Sequence, residues 1–358
     1  MRSSSGAHYI ALDHVRALAA FMVFTWHFSH GLTGWPIPYE YVPGFFPFAL
    51  LDEGHTGVAL FMTLSGYLFA KLLDGKDIRY GDFLWNRALR LLPLLAVVIA
   101  IVGVMRARGG AGLTSYAKEV VEGVLLPTLP NGAWSITAEF HFYLVLPVFL
   151  WMLRRSRWLP LSIVVVAIAL RALLRHELGT VQDLAYMTLV GRVDQFTLGM
   201  LAYHFRGAIT RRHFLALALI TAFMLSYWRF DSLGGYFGMP SHPSPSMIWV
   251  FLPTLEGLGY ATAIAWYDSS FSPSNRGVSR FVGLLGQYSY SIYIFHFFVV
   301  FAMTEFVDAR IMPLTNFYVT CFWSLVCFCL MVVPGYLSFR FIESPFLKFR
   351  RHYIIQAR

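Results

Sequence analysis

The stretch Tyr9-Ile-Ala-Leu-Asp-His-Val-Arg-Ala-Leu-Ala-Ala-Phe-Met-Val-Phe-Thr-Trp-His27 decides how the chain is read. A bilayer crossing takes about 20 predominantly apolar residues of helix. This stretch is long and apolar enough, yet it carries Asp13, His14, Arg16 and His27. Ionisable groups in hydrocarbon are costly and usually face a bundle interior, a water-filled cavity or a working site. Eleven helical residues rise about 16 Å through roughly three turns, so Arg16 and His27 lie on nearly one face at two depths. Asp13 and Arg16, at i and i+3, can pair and lower the cost of burying either charge. His27 has no charged neighbour within four positions. Its imidazole is either a proton carrier, the side chain suited to that task near pH 7, or an interfacial helix-end histidine beside Trp26.

The rest of the 358 residues agree with a membrane protein. The chain is 57% hydrophobic and 13% charged, against about 25% charged in soluble domains. Its aromatic share, 17%, suits many interfacial Trp and Tyr side chains. The net charge of +9 does not point to nucleic acid, because the basic residues sit in short clusters between apolar segments. Cys321, Cys327 and Cys329 share one late apolar segment; their spacing suits neither zinc nor a disulfide framework, and they read as small core residues. The first apolar segment lacks a small-residue cleavage pattern and is expected to be retained.

Apolar runs near 9–31, 54–74, 89–105, 134–153, 158–174, 185–205, 213–230, 247–267, 283–305 and 315–340 predict an all-α, polytopic protein of about ten transmembrane helices. Arg192, Asp194 and Glu256 interrupt the sixth and eighth. With the N-terminus placed inside, nineteen Lys and Arg fall in or at the edges of inside segments and seven, Arg171 among them, in or at the edges of outside segments, while Arg16 and Arg192 lie within spans. That bias predicts cytoplasmic termini at both ends. The 32–53 loop, with no Lys or Arg, fits an outside placement. No segment between spans is long enough for a soluble domain, so residues 1–358 read as one membrane domain.

Four further groups carry chemistry. In Trp134-Ser-Ile-Thr-Ala-Glu-Phe-His-Phe-Tyr143, the residues Ser135, Glu139 and Tyr143 recur every four positions and share one helix face. They either hold and activate a hydroxyl substrate or form a polar seam between helices. Arg87 and Arg90 sit on an amphipathic segment at the inside surface, suited to the phosphates of a cytosolic cofactor or to lipid headgroups. Arg192 and Asp194, two apart, do not face each other on a helix and each expects a partner elsewhere, while Gly199 and Ser65-Gly66 suit close helix crossings. Tyr288-Ser-Tyr-Ser-Ile-Tyr-Ile-Phe-His296 puts a second histidine inside a span, and Glu343 reads as structural. No metal-ligand cluster, glycine-rich phosphate loop or nucleophile elbow is apparent.

Taken in order, these motifs resemble the acyltransferase-3 family of integral membrane O-acyltransferases. The resemblance rests on Leu12-Asp-His-Val-Arg-Ala-Leu-Ala19 followed by His27, then Gly57 to Gly66, Arg87 with Arg90, Trp134-Ser135 to Glu139 and Tyr143, Arg192 with Asp194 and Gly199, and Tyr290 to His296. The chain departs from the family pattern at Ala59, where an acidic residue is common, and at Phe140 and His141. The resemblance implies O-acyl transfer from a cytosolic acyl-CoA, commonly acetyl-CoA, to a carbohydrate or glycolipid acceptor such as a surface polysaccharide, lipopolysaccharide or lipo-oligosaccharide. The expected location is the bacterial cytoplasmic (inner) membrane, in contact with its lipids and with no nucleic acid or metal involved. It assigns His27 as general base, with Arg16 and Glu139 as the other catalytic groups. Arg87 and Arg90 would bind the acetyl-CoA, and Asp13, Ser135, Tyr143, Arg192, Asp194 and His296 the acceptor. An acyl-histidine relay and direct transfer both fit. The other readings are acylation of a secondary metabolite such as a macrolide, and a glycan transporter whose path the same charges line.

Overall fold

The computed structural model describes residues 9–110 and 112–356. Every predicted apolar stretch carries helix. The principal helices are α1 (Ile10–His30), α2 (Gly57–Leu73), α3 (Tyr80–Arg108), α4 (Trp134–Arg155), α5 (Leu161–Leu178), α6 (Leu189–His204), α7 (His213–Ser232), α8 (Ile248–Ser270), α9 (Gly277–Gln287), α10 (Ser289–Phe295), α11 (Val300–Arg310) and α12 (Phe317–Leu330). Among the described residues, six helical runs are long and apolar enough to cross a membrane. A seventh is the pair Ser289–Phe298 and Val300–Arg310, bent by 63°. Three predicted spans fall outside this set for physical reasons. Asp13, His14, Arg16 and His27 depress the hydropathy of α1; Arg171, Arg175 and Glu177 charge α5; α6 has only 16 residues. The chain is therefore a multi-pass helical membrane protein, with six or seven spans among the described residues supported by length and composition alone.

Close backbone approach organises the centre of the bundle. A Cβ on Gly66 of α2 would lie 2.0 Å from the Phe196 carbonyl oxygen, and one on Gly199 of α6 would lie 1.9 Å from that of Thr63. The α2–α6 crossing thus needs glycine on both sides. Gly57 likewise faces the Ala19 carbonyl of α1 at 2.5 Å, and Gly286 of α9 faces that of Asp13 at 1.8 Å. These contacts hold α1 against α2 on one side and α9 on the other, and bury most of its length. Phe142 of α4 stacks on Phe196 of α6 at 3.9 Å, which fixes the face of α4 that points inward.

The two-stranded antiparallel ribbon joins β1 (Lys76–Ile78) to β2 (Ile354–Gln356), with Lys76 opposite Gln356 and Ile78 opposite Ile354. Lys71, at the last turn of α2, lies over the Tyr9 ring at 4.3 Å and pairs with Asp268 at 2.6 Å. Both ends of the described chain therefore meet at one end of the bundle, the ribbon end. Cys321 and Cys327 are buried and Cys329 is half-buried, as core residues should be.

Candidate active site

Helical spacing on α4 brings Ser135, Glu139 and Tyr143 to one face, and that face lines an interior cavity of ≈ 120 Å³. Arg16 enters it from α1, Ser65 and Phe69 from α2, Arg87 and Arg90 from α3, and Tyr290 and Tyr293 from α10. The cavity thus gathers residues from five helices that the sequence separates by up to nearly 280 positions.

Its polar groups are held in place. Tyr143 donates from its hydroxyl to Glu139 Oε1, and Ser65 donates to the same oxygen at 3.4 Å. Arg16 donates to Asp13 at 2.5 Å, the i, i+3 pair expected from α1. The Arg87 guanidinium lies over the Phe69 and Phe83 rings at 5.0 and 5.2 Å, donates to the Tyr353 hydroxyl at 3.4 Å, and keeps a buried Nε without a partner. Three guanidinium groups and one carboxylate therefore line the space, with Asp13 pairing Arg16 from just outside it, so that positive charge still exceeds negative. Such an excess of positive charge in a low-dielectric chamber favours an anionic guest.

At the cavity's far end, Tyr293 and Ser135 are joined at 2.9 Å, and both hydroxyls also lie near the Gly132 carbonyl oxygen, at 3.0 and 3.1 Å. Gly132, at φ +71°, is the residue a tight turn over these hydroxyls requires; a Cβ there would lie 3.3 Å from Tyr293 and from Phe297. His27 is not a lining residue of this cavity. It lies beyond Tyr293, whose ring is 5.9 Å from that of His296, which is in turn 5.1 Å from that of His27. His296 Nδ1 sits 2.5 Å from the Tyr293 carbonyl oxygen. A carbonyl only accepts, so Nδ1 carries the hydrogen and Nε2 the lone pair. That Nε2 and the Nδ1 of His27 are both buried without a hydrogen-bond partner.

The remaining sequence candidates lie elsewhere. Asp194 is fully buried, bound by Arg171 at 2.7 Å, by Thr254 at 2.5 Å and by the Gln195 amide at 3.0 Å. Arg192 donates to the Tyr186 carbonyl, to Gln195 at 2.9 Å, and lies 3.9 Å from Glu256. As the spacing predicted, each has its own partner, and neither lines the arginine cavity. Arg171 corrects the charge reading: counted with the outside basic residues, it is in fact buried within α5, where its guanidinium bonds the Val250 and Gly191 carbonyls at 2.8 Å each. Tyr290 and Tyr293 were missed, although 290, 293 and 296 recur every three residues and so share the face that carries His296. Among the described residues, no group of three or more His, Cys, Asp or Glu could hold a metal ion.

Comparison with known proteins gives a family profile described as an acyltransferase domain, matched by residues 9–335. A putative O-acetyltransferase of Staphylococcus aureus is 24% identical over 403 residues, covering 94% of this chain and 57% of that protein. The exopolysaccharide production protein ExoZ of Rhizobium meliloti is 26% identical over 271 residues, covering 69% of this chain and 77% of the relative. Nodulation protein 10 of Rhizobium leguminosarum is 28% identical over 191 residues, covering 46% and 50%. The chain thus spans little more than half the length of the staphylococcal relatives. No solved structure matches.

Proposed function

The chain belongs to this membrane acyltransferase family, and we propose that it is an O-acetyltransferase moving an acetyl group from acetyl-CoA to a hydroxyl of a carbohydrate acceptor. The observation that carries the donor half is the convergence of Arg16, Arg87 and Arg90 on one cavity. Guanidinium groups bind phosphate oxygens through paired, charge-assisted hydrogen bonds, and the donor carries several phosphate charges. The carbohydrate half is supported by relatives whose names concern exopolysaccharide production and nodulation. In the orientation that the basic residues favour, the ribbon end and both termini face the cytoplasm, where an acyl-CoA is found.

In this reading the acceptor oxygen attacks the thioester carbonyl, a C–O bond forms and the C–S bond breaks. His27 takes the hydroxyl proton and returns it to the departing thiolate. Arg16 stabilises the oxyanion as charge develops. Glu139, fixed by Tyr143 and Ser65, orients the acceptor with Ser135. Tyr293 and His296 lie between the cavity and His27, so acyl group and base meet only when the Tyr293–Ser135 contact opens. Asp13 fixes Arg16, while Arg192 and Asp194 support the wall behind Trp134, whose ring lies 5.7 Å from the Arg192 guanidinium.

The test uses the purified protein in lipid nanodiscs, with acetyl-CoA binding and acetyl transfer to isolated surface glycan measured separately. His27→Ala is expected to abolish transfer while binding persists, and the Arg87→Ala/Arg90→Ala pair to weaken acetyl-CoA binding by at least about a hundredfold. Full transfer by His27→Ala removes the proposed base. A wild-type protein that moves glycan but neither binds nor consumes acetyl-CoA would be a transporter instead.

A further inference from the structure

The family match ends at residue 335, yet the chain beyond it returns to the arginine cavity. Residues 349–356 run along the first turns of α3. Trp85 donates to the Phe349 carbonyl at 3.2 Å, and Arg79 donates its amide to that of Tyr353 at 2.8 Å. Asn86 grips residue 351 from both sides: its Nδ2 donates to the Arg351 carbonyl at 2.7 Å and its Oδ1 accepts the Arg351 amide at 2.9 Å. The β1–β2 pairing then closes the segment. Tyr353 is buried, packs on Phe83 at 5.5 Å, and presents its hydroxyl to Arg87.

Asn86 precedes Arg87 and lies one turn before Arg90, so its two bonds to residue 351 hold residue 350 beside both arginines. Arg350 is half-buried there, and its guanidinium makes no ion pair with a carboxylate among the described residues. Burial, with the repulsion of Arg90 and Arg87, lowers its pKa to about 10, while Tyr353 and the carboxylate of Glu343 act in the opposite sense. Arg350 thus stands next to Arg87 and Arg90, just outside the residues that line the cavity. Asp13 and Glu343 offset part of the repulsion among these arginines, and a polyanion would relieve what remains.

We infer that residues 349–356 form part of the donor site, and that Arg350 binds a terminal phosphomonoester of the acyl donor at the mouth of the cavity. A phosphomonoester carries about −1.5 to −2 charges near pH 7, more than either phosphate of a diester-linked pyrophosphate, and it suits a cation at the rim rather than one deep inside. In acetyl-CoA this group is the 3′-phosphate of the adenosine. The inference rests on the acyl-CoA reading above and assigns the part of that donor which this segment recognises.

The experiment measures binding of acetyl-CoA and of acetyl-3′-dephospho-CoA to the full-length protein in nanodiscs. Wild type should prefer acetyl-CoA by about tenfold or more. Arg350→Gln should weaken acetyl-CoA by about that factor and leave the dephospho compound unchanged. Asn86→Ala, which frees the segment without touching its charge, should also lose the preference; a thermal unfolding curve for each variant shows that the bundle is intact. An equal loss for both compounds, or a wild type indifferent to the 3′-phosphate, overturns the assignment even though acetyl-CoA binds. A wild type that binds neither compound overturns the donor reading itself. Repeating the titration with and without anionic phosphatidylglycerol in the nanodisc separates a lipid site. If Arg350→Gln alters only the effect of the lipid, Arg350 serves headgroups and the inference is wrong.

Discussion

Replacing Asp194 by alanine should destabilise the protein severely without touching the cavity. Its carboxylate is fully buried, with Arg171 and Thr254 on Oδ2 and the Gln195 amide on Oδ1. Arg171 is equally buried and spends its other donors on the Val250 and Gly191 carbonyls. Asp194→Ala therefore strands a guanidinium in a low-dielectric interior. Breaking one side of such a pair costs about 3–5 kcal/mol, a large part of the roughly 5–15 kcal/mol that holds a typical domain folded. The double variant Arg171→Met/Asp194→Leu removes both charges and fills the space. It should recover most of the loss, because replacing a whole buried pair by apolar groups is often neutral. Thermal unfolding in one detergent, run on wild type, Arg171→Met, Asp194→Leu and the double variant, reads the coupling directly. Acetyl-CoA binding by the double variant should match wild type. Two results would refute the reasoning: a single variant as stable as wild type, or a well-folded double variant that has lost donor binding. The second would return Asp194 to the substrate-contacting role that its sequence motif suggested.

Two further outcomes follow from the geometry. Gly199→Ala would put a Cβ 1.9 Å from the Thr63 carbonyl oxygen, so α2 and α6 must separate. The expected loss is about 1–3 kcal/mol, against no change for Gly207→Ala, where nothing lies within 4 Å; equal melting temperatures for the two variants would sink the crossing argument. Asp52, in the short helix Ala49–Asp52 outside the spans, has its pKa pushed up to about 6 by burial, with the His30 ring, 3.4 Å from its Oδ1, acting in the opposite sense. A carboxyl with a raised folded-state pKa binds more protons folded than unfolded between about pH 4 and 6. Its contribution to stability therefore falls as pH rises through that window, so the melting temperature of wild type should drop relative to that of Asp52→Asn. Parallel pH profiles would exclude Asp52 as the titrating group.

Local relationships were legible in the sequence, and tertiary ones were not. Asp13 and Arg16 pair because three residues of helix bring them together, and Ser135, Glu139 and Tyr143 share a face because four residues do. The glycine contacts at 66 and 199 could be suspected singly; that the two belong to one crossing is visible only when α2 and α6 are placed together. Hydropathy failed at Arg171 because it weighs a charge without asking whether a partner waits for it. Arg171 and Asp194 lie 23 positions apart on two helices, a separation that no local periodicity connects. The same limit put Arg87 and Arg90 at a membrane surface, whereas the bundle turns them inward beside Arg16.

His27 shows how a residue can be legible and its setting not. Helical phase aligned it with Arg16, and the fold keeps that alignment while inserting Tyr293 and His296 between His27 and the arginine cavity. A triad histidine leans on a carboxylate that stabilises its charged form; the nearest ring groups to His27 are instead His296 and Phe297, at 5.1 and 4.4 Å. The lone pair on His296 Nε2 is the acceptor available on that side, because Nδ1 is committed to the Tyr293 carbonyl. With no hydrogen-bond partner on its buried Nδ1, His27 lacks such support in this arrangement. On the proposed mechanism, opening the Tyr293–Ser135 contact would move the residue whose carbonyl fixes His296, so access to the acyl group and the surroundings of the proposed base would change together.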